Sequence, residues 1–292
     1  MTVGSILQEY DPAIHGIIAE ADRLQIRTRH DGTNHLFKPY ILDLWTSAAS
    51  TNTAAELVND QDNELDGSTT AEDGVKGYTN DAKDTAAGVG AQQLKVLSII
   101  SDEYSENTLT TAGATSDTDD SIDDMQRFIQ MIVSAAGSEL NNAGEIELRL
   151  SDDTVIHTIA AGENRLGTIT LWIAPGYRAK CVKLLINNSD AAGAGAGANT
   201  IVDKIRVTIN QSYGDVNPGS AIREFVWSGG SNLYQGSEKG DWTHQIDDIC
   251  FPLNGVESSN IVKVYQTIES LDDGDATTVD VFARYLIWRE TT

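Results

Sequence analysis

The stretch from Arg165 to Asn188 constrains the fold most. Ile169, Leu171 and Ile173 alternate there with Thr168, Thr170 and Trp172, and Pro175-Gly176 separates them from a second β-prone run, Arg178 to Ile186. A period of two is the mark of a strand with one buried face. Proline presets φ for the first corner of a turn, and glycine accepts the positive φ of the second. The stretch reads as a β-hairpin. Two strands alone do not hold together in water, so the rest of the chain must supply neighbours.

It does so in both directions. Strand-like runs recur at Leu36–Trp45, Leu94–Ile100, Thr108–Thr111, Met125–Val133, Glu145–Leu150, Val155–Ile159, Ile201–Ile209, Ile222–Trp227, Ile246–Phe251, Ile261–Ile268 and Val279–Trp288. Turn signals at Asp31-Gly32, Asp102-Glu103-Tyr104-Ser105, Asn141–Gly144, Asn217-Pro218-Gly219 and Gly229-Gly230 punctuate them. Short strands at this spacing with almost no helical pattern predict an all-β fold, an antiparallel β-sandwich of jelly-roll-like kind. The last strand is the most apolar, which places it centrally or at an interface rather than at a free edge.

Three stretches break the pattern. Residues 1–20 form an N-terminal arm, with Ile6, Leu7, Tyr10 and Ile14 as its gripping side chains. Residues 21–292 are expected to be one sandwich domain. Within it, residues at about 46–90 are rich in Ala, Thr, Asn, Asp and Gly and read as a surface excursion, with one or two helical turns at Ala54–Val58. Residues 113–124 make a second acidic loop.

Charge narrows the partners. The 292 residues carry 44 acids and 20 bases, a formal net charge of −24. Such a surface opposes phosphate, so nucleic acid is excluded as a partner. No apolar run approaches the length of a membrane span, and the start lacks the basic and apolar regions of a secretion signal. The two cysteines, Cys181 and Cys250, each sit in a strand-like context and do not make a disulfide framework.

No catalytic signature stands out. Asp62, Glu64, Asp66-Gly67 and Asp73 place carboxylates at alternate positions around a glycine, a spacing similar to a calcium loop. Against that, position 3 is Glu, position 12 is Asp and no good helix follows, so the alternative is a solvated acidic loop. No cofactor is otherwise expected. The five histidines lack the partner spacing of a zinc site. Ser228–Ser231 lacks the strand–elbow–helix setting of a hydrolase nucleophile. Trp227, Tyr234 and Trp242 fall in one loop-rich stretch, where aromatics stack on sugars, anchor interfaces or plug the end of a sandwich.

Several segments together resemble a known kind of protein. Asn80-Asp81, Thr85 to Gln92, the strand Leu94–Ile100, Asp102 to Glu106 and Thr108–Thr111 come first. Arg127-Phe128, Asn142 to Ile146, and Gly162 to Gly176 with Tyr177 follow in the same order. The pattern is similar to virion structural proteins of tailed, mostly marine, bacteriophages, from about His35 to the carboxy terminus. The resemblance implies a β-rich, oligomeric particle component and transfers no catalytic residue.

The expectation is therefore a non-enzymatic structural protein of the virion, assembled in the host cytoplasm. Its most specific form is a capsid decoration or cement protein, a homotrimer bound through the arm to the major capsid protein or another virion protein. Repeated symmetric contacts would add up to firm attachment. The alternative is a receptor- or carbohydrate-binding module of a head or tail fibre, using Trp227, Tyr234 and Trp242.

Overall fold

The computed structural model describes residues 5–19, 21, 39–50, 56–59, 71–114, 116–168, 170–190, 204–213, 220–228, 240–244, 250–251, 261–270 and 277–289. Of 47–50, 56–59, 185–190, 204–213, 220–228, 240–244, 250–251, 265–270 and 277–280 it describes the backbone alone.

The described chain is all-β apart from short helical segments in the arm. In order the elements are β1 (Leu7–Glu9), α1 (Pro12–His15), β2 (Tyr40–Ser50), β3 (Glu56–Asn59), β4 (Lys76–Thr79), β5 (Ala91–Ile100) and β6 (Glu103–Thr110). Next come β7 (Ser116–Asp117), β8 (Met125–Ala136), β9 (Ile146–Arg149), β10 (Val155–Ile159), β11 (Leu171–Ile173) and β12 (Tyr177–Asp190). The last are β13 (Lys204–Tyr213), β14 (Ser220–Ser228), β15 (Gly240–His244), β16 (Cys250–Phe251), β17 (Val262–Ser270) and β18 (Thr277–Arg289).

They form four antiparallel sheets. The first runs β1-β2-β18-β12-β15, with β16 also on β12; the second runs β11-β17-β13-β14, with β3 also on β17. The third is β6-β5-β8 and the fourth β10-β9-β4-β7. The first two are built from both ends of the chain, the last two from its middle. As its apolar sequence requires, β18 lies centrally, paired with β2 on one side and β12 on the other.

Two large cores account for this layout. One gathers Leu42 and Leu44 of β2, Val281, Tyr285 and Ile287 of β18, Leu171 and Ile173 of β11, and Leu97, Ile99, Ile129 and Ile132 of the third sheet. The other packs Leu94, Val96, Phe128, Met131 and Val133 of the third sheet against Ile146, Leu148 and Ile156 of the fourth. Both faces of β5 and β8 are thus covered. That explains why Met125–Val133 reads as a near-continuous apolar run: a strand buried on one side needs only every second residue apolar.

The structure corrects several sequence expectations. The hairpin at 165–188 does not form, because β11 pairs with β17 and β12 with β18, in two different sheets. Its turn is as expected: Tyr177 N–H donates to the Ala174 carbonyl at 3.0 Å, and Gly176 has φ 75°. The turn is a corner between sheets. Leu171, Trp172 and Ile173 are all buried, so no face of β11 meets water. Trp172 lies under the Arg127 guanidinium and the Lys263 ammonium, 5.1 and 5.2 Å from its ring.

The turn expected at Asp102–Ser105 lies earlier. Ser101 and Asp102 take φ 50° and 63°, the two left-handed corners of a two-residue hairpin, and the strand resumes at Glu103. The helical turns expected at Ala54–Val58 are replaced by strand β3 over Glu56–Asn59, because β17 offers it a ladder. Within the stretch read as a surface excursion at about 46–90, Val75, Thr79 and Asp84 are buried. Polar composition there reflects side chains that hold backbone, described next.

Candidate functional site

Two of the segments that carried the resemblance, Thr85 to Gln92 and Asn142 to Ile146, meet at the carboxylate of Asp84, which itself lies outside them. Asp84 is completely buried, and its Oδ1 accepts the N–H of Ala91 at 2.6 Å and of Ala143 at 2.9 Å. Its Oδ2 accepts Gly144 N–H at 2.9 Å and the Thr79 hydroxyl at 3.0 Å. Asn80 Oδ1 accepts Glu145 N–H at 2.9 Å beside it. Asn142 extends the network: its Nδ2 donates to the carbonyls of Gly144 and Ala160, and its Oδ1 accepts Asn164 N–H. Backbone left bare by irregular turns must find partners when buried, and these short polar side chains supply them. The loops 79–91 and 140–145 are locked together.

The arm is docked on its own body. Ile6 and Tyr10 are buried, Ile6 in the first core and Tyr10 against Ile41, Leu286 and Trp288. Ile6 N–H donates to Glu106 Oε2 at 2.6 Å, and β1 pairs with β2. The Tyr10 hydroxyl donates to the Gly16 carbonyl and accepts Ile18 N–H, both at 3.0 Å. Of the four gripping residues expected in the arm, Ile6 and Tyr10 face inward, Leu7 is partly buried, and Ile14 is 73% exposed. Ile17, three residues further on, is 85% exposed. Helix α1 presents Ile14, and Ile17 follows just past its end: Asp11 caps the helix by accepting Ala13 N–H at 2.8 Å, Pro12 stands in its first turn, and Gly16 ends it.

Between arm and body opens a cleft of about 250 Å³. Ile6, Ile132, Val133, Ala136 and Leu140 give it aliphatic walls, while Ser5, Gln8, Asn164, Asp43 and Arg165 supply polar groups. Leu140 stands at its mouth, 58% exposed and at φ 62°, a left-handed conformation that is costly for a branched side chain. Asn164 holds it there by donating to the Leu140 carbonyl at 3.1 Å.

The charges of the cleft are unequal. Arg284 grips both carboxylate oxygens of Asp43, through Nε at 2.7 Å and Nη2 at 2.8 Å. Arg165 donates from Nη2 only to the backbone carbonyl of Asp43, and its buried Nε has no partner among the described residues. Burial lowers the Arg165 guanidinium below its ordinary value, opposed by Asp43, whereas its hydrogen bond to Asp43 raises Arg284. Sequence reasoning missed these three. Asp43 is the one charge of β2 and Arg284 one of three in β18, and the two stand opposite each other in register, a cross-strand signal available only once strands are paired.

The remaining candidates fall as follows. Trp227 and Trp242 lie on strands of different sheets, β14 opposite Ile205 and β15 opposite Ile186, not on shared loops. Tyr234 lies outside the described residues, as do Asp62, Glu64 and Asp66 of the calcium-like loop. Asp73 is described, and its carboxylate accepts Asp124 N–H at 2.9 Å, while Asp123 accepts Gly74 N–H at 2.9 Å. The two acidic stretches thus meet through backbone. Among the described residues no group of three His, Cys, Asp or Glu is placed to hold a metal ion. Cys181 is free and buried, and burial pushes its thiol up to about 12.

Fold and site together define an antiparallel all-β protein with a docked arm and an aliphatic cleft carrying one excess cation. No protein-family model matches the chain, and no curated protein matches it. Among solved structures, one of the infectious bursal disease virus Gt strain overlaps 88% of this chain and 71% of its own at 9% identity, with a TM-score of 0.23. Another, of the Gx strain, overlaps 92% and 81% at 10% identity with a TM-score of 0.19. The VP2 subviral particle of the same virus gives 94% and 83% at 10% identity and a TM-score of 0.17. Likenesses at these scores carry no argument about what this chain is or does.

Proposed function

We propose that this chain is a non-enzymatic structural protein of a tailed-phage virion, decorating the outside of the head as a homotrimer bound to the major capsid protein. The observation that carries this reading is the Asp84 network. Backbone of two segments that resemble virion proteins, Thr85 to Gln92 and Asn142 to Ile146, meets there, and the side chains of Asp84, Asn80 and Asn142 hold it rigid. A part that serves by shape and attachment needs such rigidity more than a reactive group. Two further features fit. The arm offers Ile14 and Ile17 to a partner, and the net charge of −24 keeps the outward surface hydrated and self-repelling. Threefold copies would engage local threefold positions of a shell, so modest contacts add up.

The test is a low-resolution image of particles containing this chain, with its mass in solution. Symmetric density on the outer face of the head and a trimeric mass are expected. Location solely at a tail tip, or a monomer absent from particles, overturns the reading. For the contact itself, Ile14→Ser with Ile17→Ser is the appropriate variant, since truncating the arm would also strip Ile6 and Tyr10 from the cores. Particle occupancy should fall. Unchanged occupancy removes the arm's role.

A further inference from the structure

We infer that the cleft beside the arm binds an aliphatic monocarboxylate, its carboxylate paired with the Arg165 guanidinium and its chain laid along Ile132, Ala136 and Leu140. The inference is independent of where the protein sits on a particle. It rests first on charge. Asp43 is the acid lining the cleft, and both its carboxylate oxygens are held by Arg284. Among these three side chains one positive charge is left over. Arg165 has a carbonyl as its hydrogen-bond acceptor rather than a carboxylate, and its Nε is without a partner among the described residues. A guanidinium drawn out of water toward apolar walls is costly until an anion meets it, and its fork matches a carboxylate.

Shape selects the rest of the ligand. The cleft holds about 250 Å³, and its apolar walls are all aliphatic. A flexible hydrocarbon chain fits that lining, and each methylene that enters strengthens binding roughly three- to fourfold. A single excess cation balances one negative charge. Multiply charged anions such as phosphates face, in addition, the repulsion of a protein with net charge −24. Leu140 adds a gate-side contact. It keeps an exposed apolar side chain on a left-handed backbone, at the mouth, where Asn or Gly would be at ease.

The experiment is calorimetric titration of the full chain at low salt with butanoate, hexanoate and octanoate, and with octan-1-ol and octyltrimethylammonium as neutral and cationic counterparts. Affinity should climb from butanoate to octanoate, and octanoate should bind at least tenfold more tightly than either counterpart. Arg165→Gln should weaken octanoate at least tenfold and leave octan-1-ol unchanged. Should that variant fold poorly, Leu140→Asp serves instead: the side chain is exposed, aspartate tolerates its φ, and a negative charge at the mouth should weaken octanoate at least threefold more than octan-1-ol, which loses the apolar contact alone. Equal binding of octanoate and octyltrimethylammonium overturns the inference. So does octanoate binding that neither variant changes, or no binding at all.

Discussion

The N–H of Gly144 donates to Oδ2 of Asp84 at 2.9 Å, across 60 residues of chain. The same carboxylate also receives Ala91, Ala143 and the Thr79 hydroxyl. One buried side chain thereby closes two long loops onto the ends of β4 and β5. A ligand-like set of donors around an acid looks catalytic in outline. Here each donor but the hydroxyl is backbone, and the acid is fully enclosed, so the arrangement is architectural.

Replacing Asp84 should therefore destabilise the fold rather than a reaction. Asp84→Asn turns one face of the group into a donor aimed at N–H donors, and about 3 kcal/mol should be lost. Thr79→Val, which removes one donor, should cost about 1 kcal/mol. Urea unfolding of the three proteins measures both. A loss below about 1 kcal/mol for Asp84→Asn would show that the network is dispensable.

Close approach around the same acid separates glycines needed for space from those needed for backbone conformation. A Cβ on Gly90 would stand 2.1 Å from Asp84 Oδ1, and one on Gly88 would stand 1.9 Å from the Lys83 carbonyl oxygen. Gly90→Ala should cost about 2 kcal/mol or more, because a clamped carboxylate cannot step aside. Gly16, at φ 76°, has nothing within 4 Å of its built Cβ. Gly16→Ala meets no clash and should cost only the strain of its φ 76°, ψ 177° backbone, a region essentially confined to glycine, about 1–3 kcal/mol. Melting temperatures rank them directly.

Two ion pairs should differ in worth. Asp43 and Arg284 form a two-point pair with side chains 32% and 24% exposed. Asp43→Asn leaves Arg284 and Arg165 facing no carboxylate in the cleft and should cost about 2 kcal/mol. Glu103 and Arg289 pair at 48% and 44% exposure. Glu103→Gln should change stability by less than about 0.5 kcal/mol, and less still in salt. Denaturant midpoints at low and high salt separate the cases.

Alkali should unfold the protein cooperatively. Burial pushes the Cys181 thiol from 9.0 up to about 12, and burial with the Glu103 hydrogen bond pushes Tyr177 from 10.0 to about 12. Burial also raises Tyr104, whose hydroxyl donates to the Trp172 carbonyl at 3.0 Å. In each case the folded state keeps a proton that the unfolded chain releases. Stability is thus intact below the ordinary values and falls as pH rises from there toward the raised ones. Unfolding followed by tyrosinate absorbance from neutral to about pH 11 should show a falling midpoint, and Tyr177→Phe should flatten its upper part. A midpoint independent of pH would contradict the burial of these groups.

Legibility in the sequence followed the range of each interaction. Strands at β13 and β17, the Pro175-Gly176 turn and the central place of β18 were readable because they depend on neighbours in sequence or on apolar content. The hairpin at 165–188 was misplaced because a good turn does not say which strand lies beside which. Ser101-Asp102 was missed as a turn because left-handed corners there are filled without glycine. In the arm, Ile6 and Ile14 are the same residue in similar sequence surroundings, and only packing tells the buried Ile6 from the exposed Ile14.

By itself the sequence determined the class of fold, since a period of two in apolar residues can be buried only by stacked sheets, and it determined the acidic surface, since charge needs no geometry. The tertiary structure alone decided that Asp84 is a hub, that β11 and β12 part company at their turn, and that Asp43 answers Arg284 while Arg165 is left facing the cleft. Each of these depends on groups tens to hundreds of residues apart meeting within a few ångströms, and no local pattern of side chains encodes such a meeting.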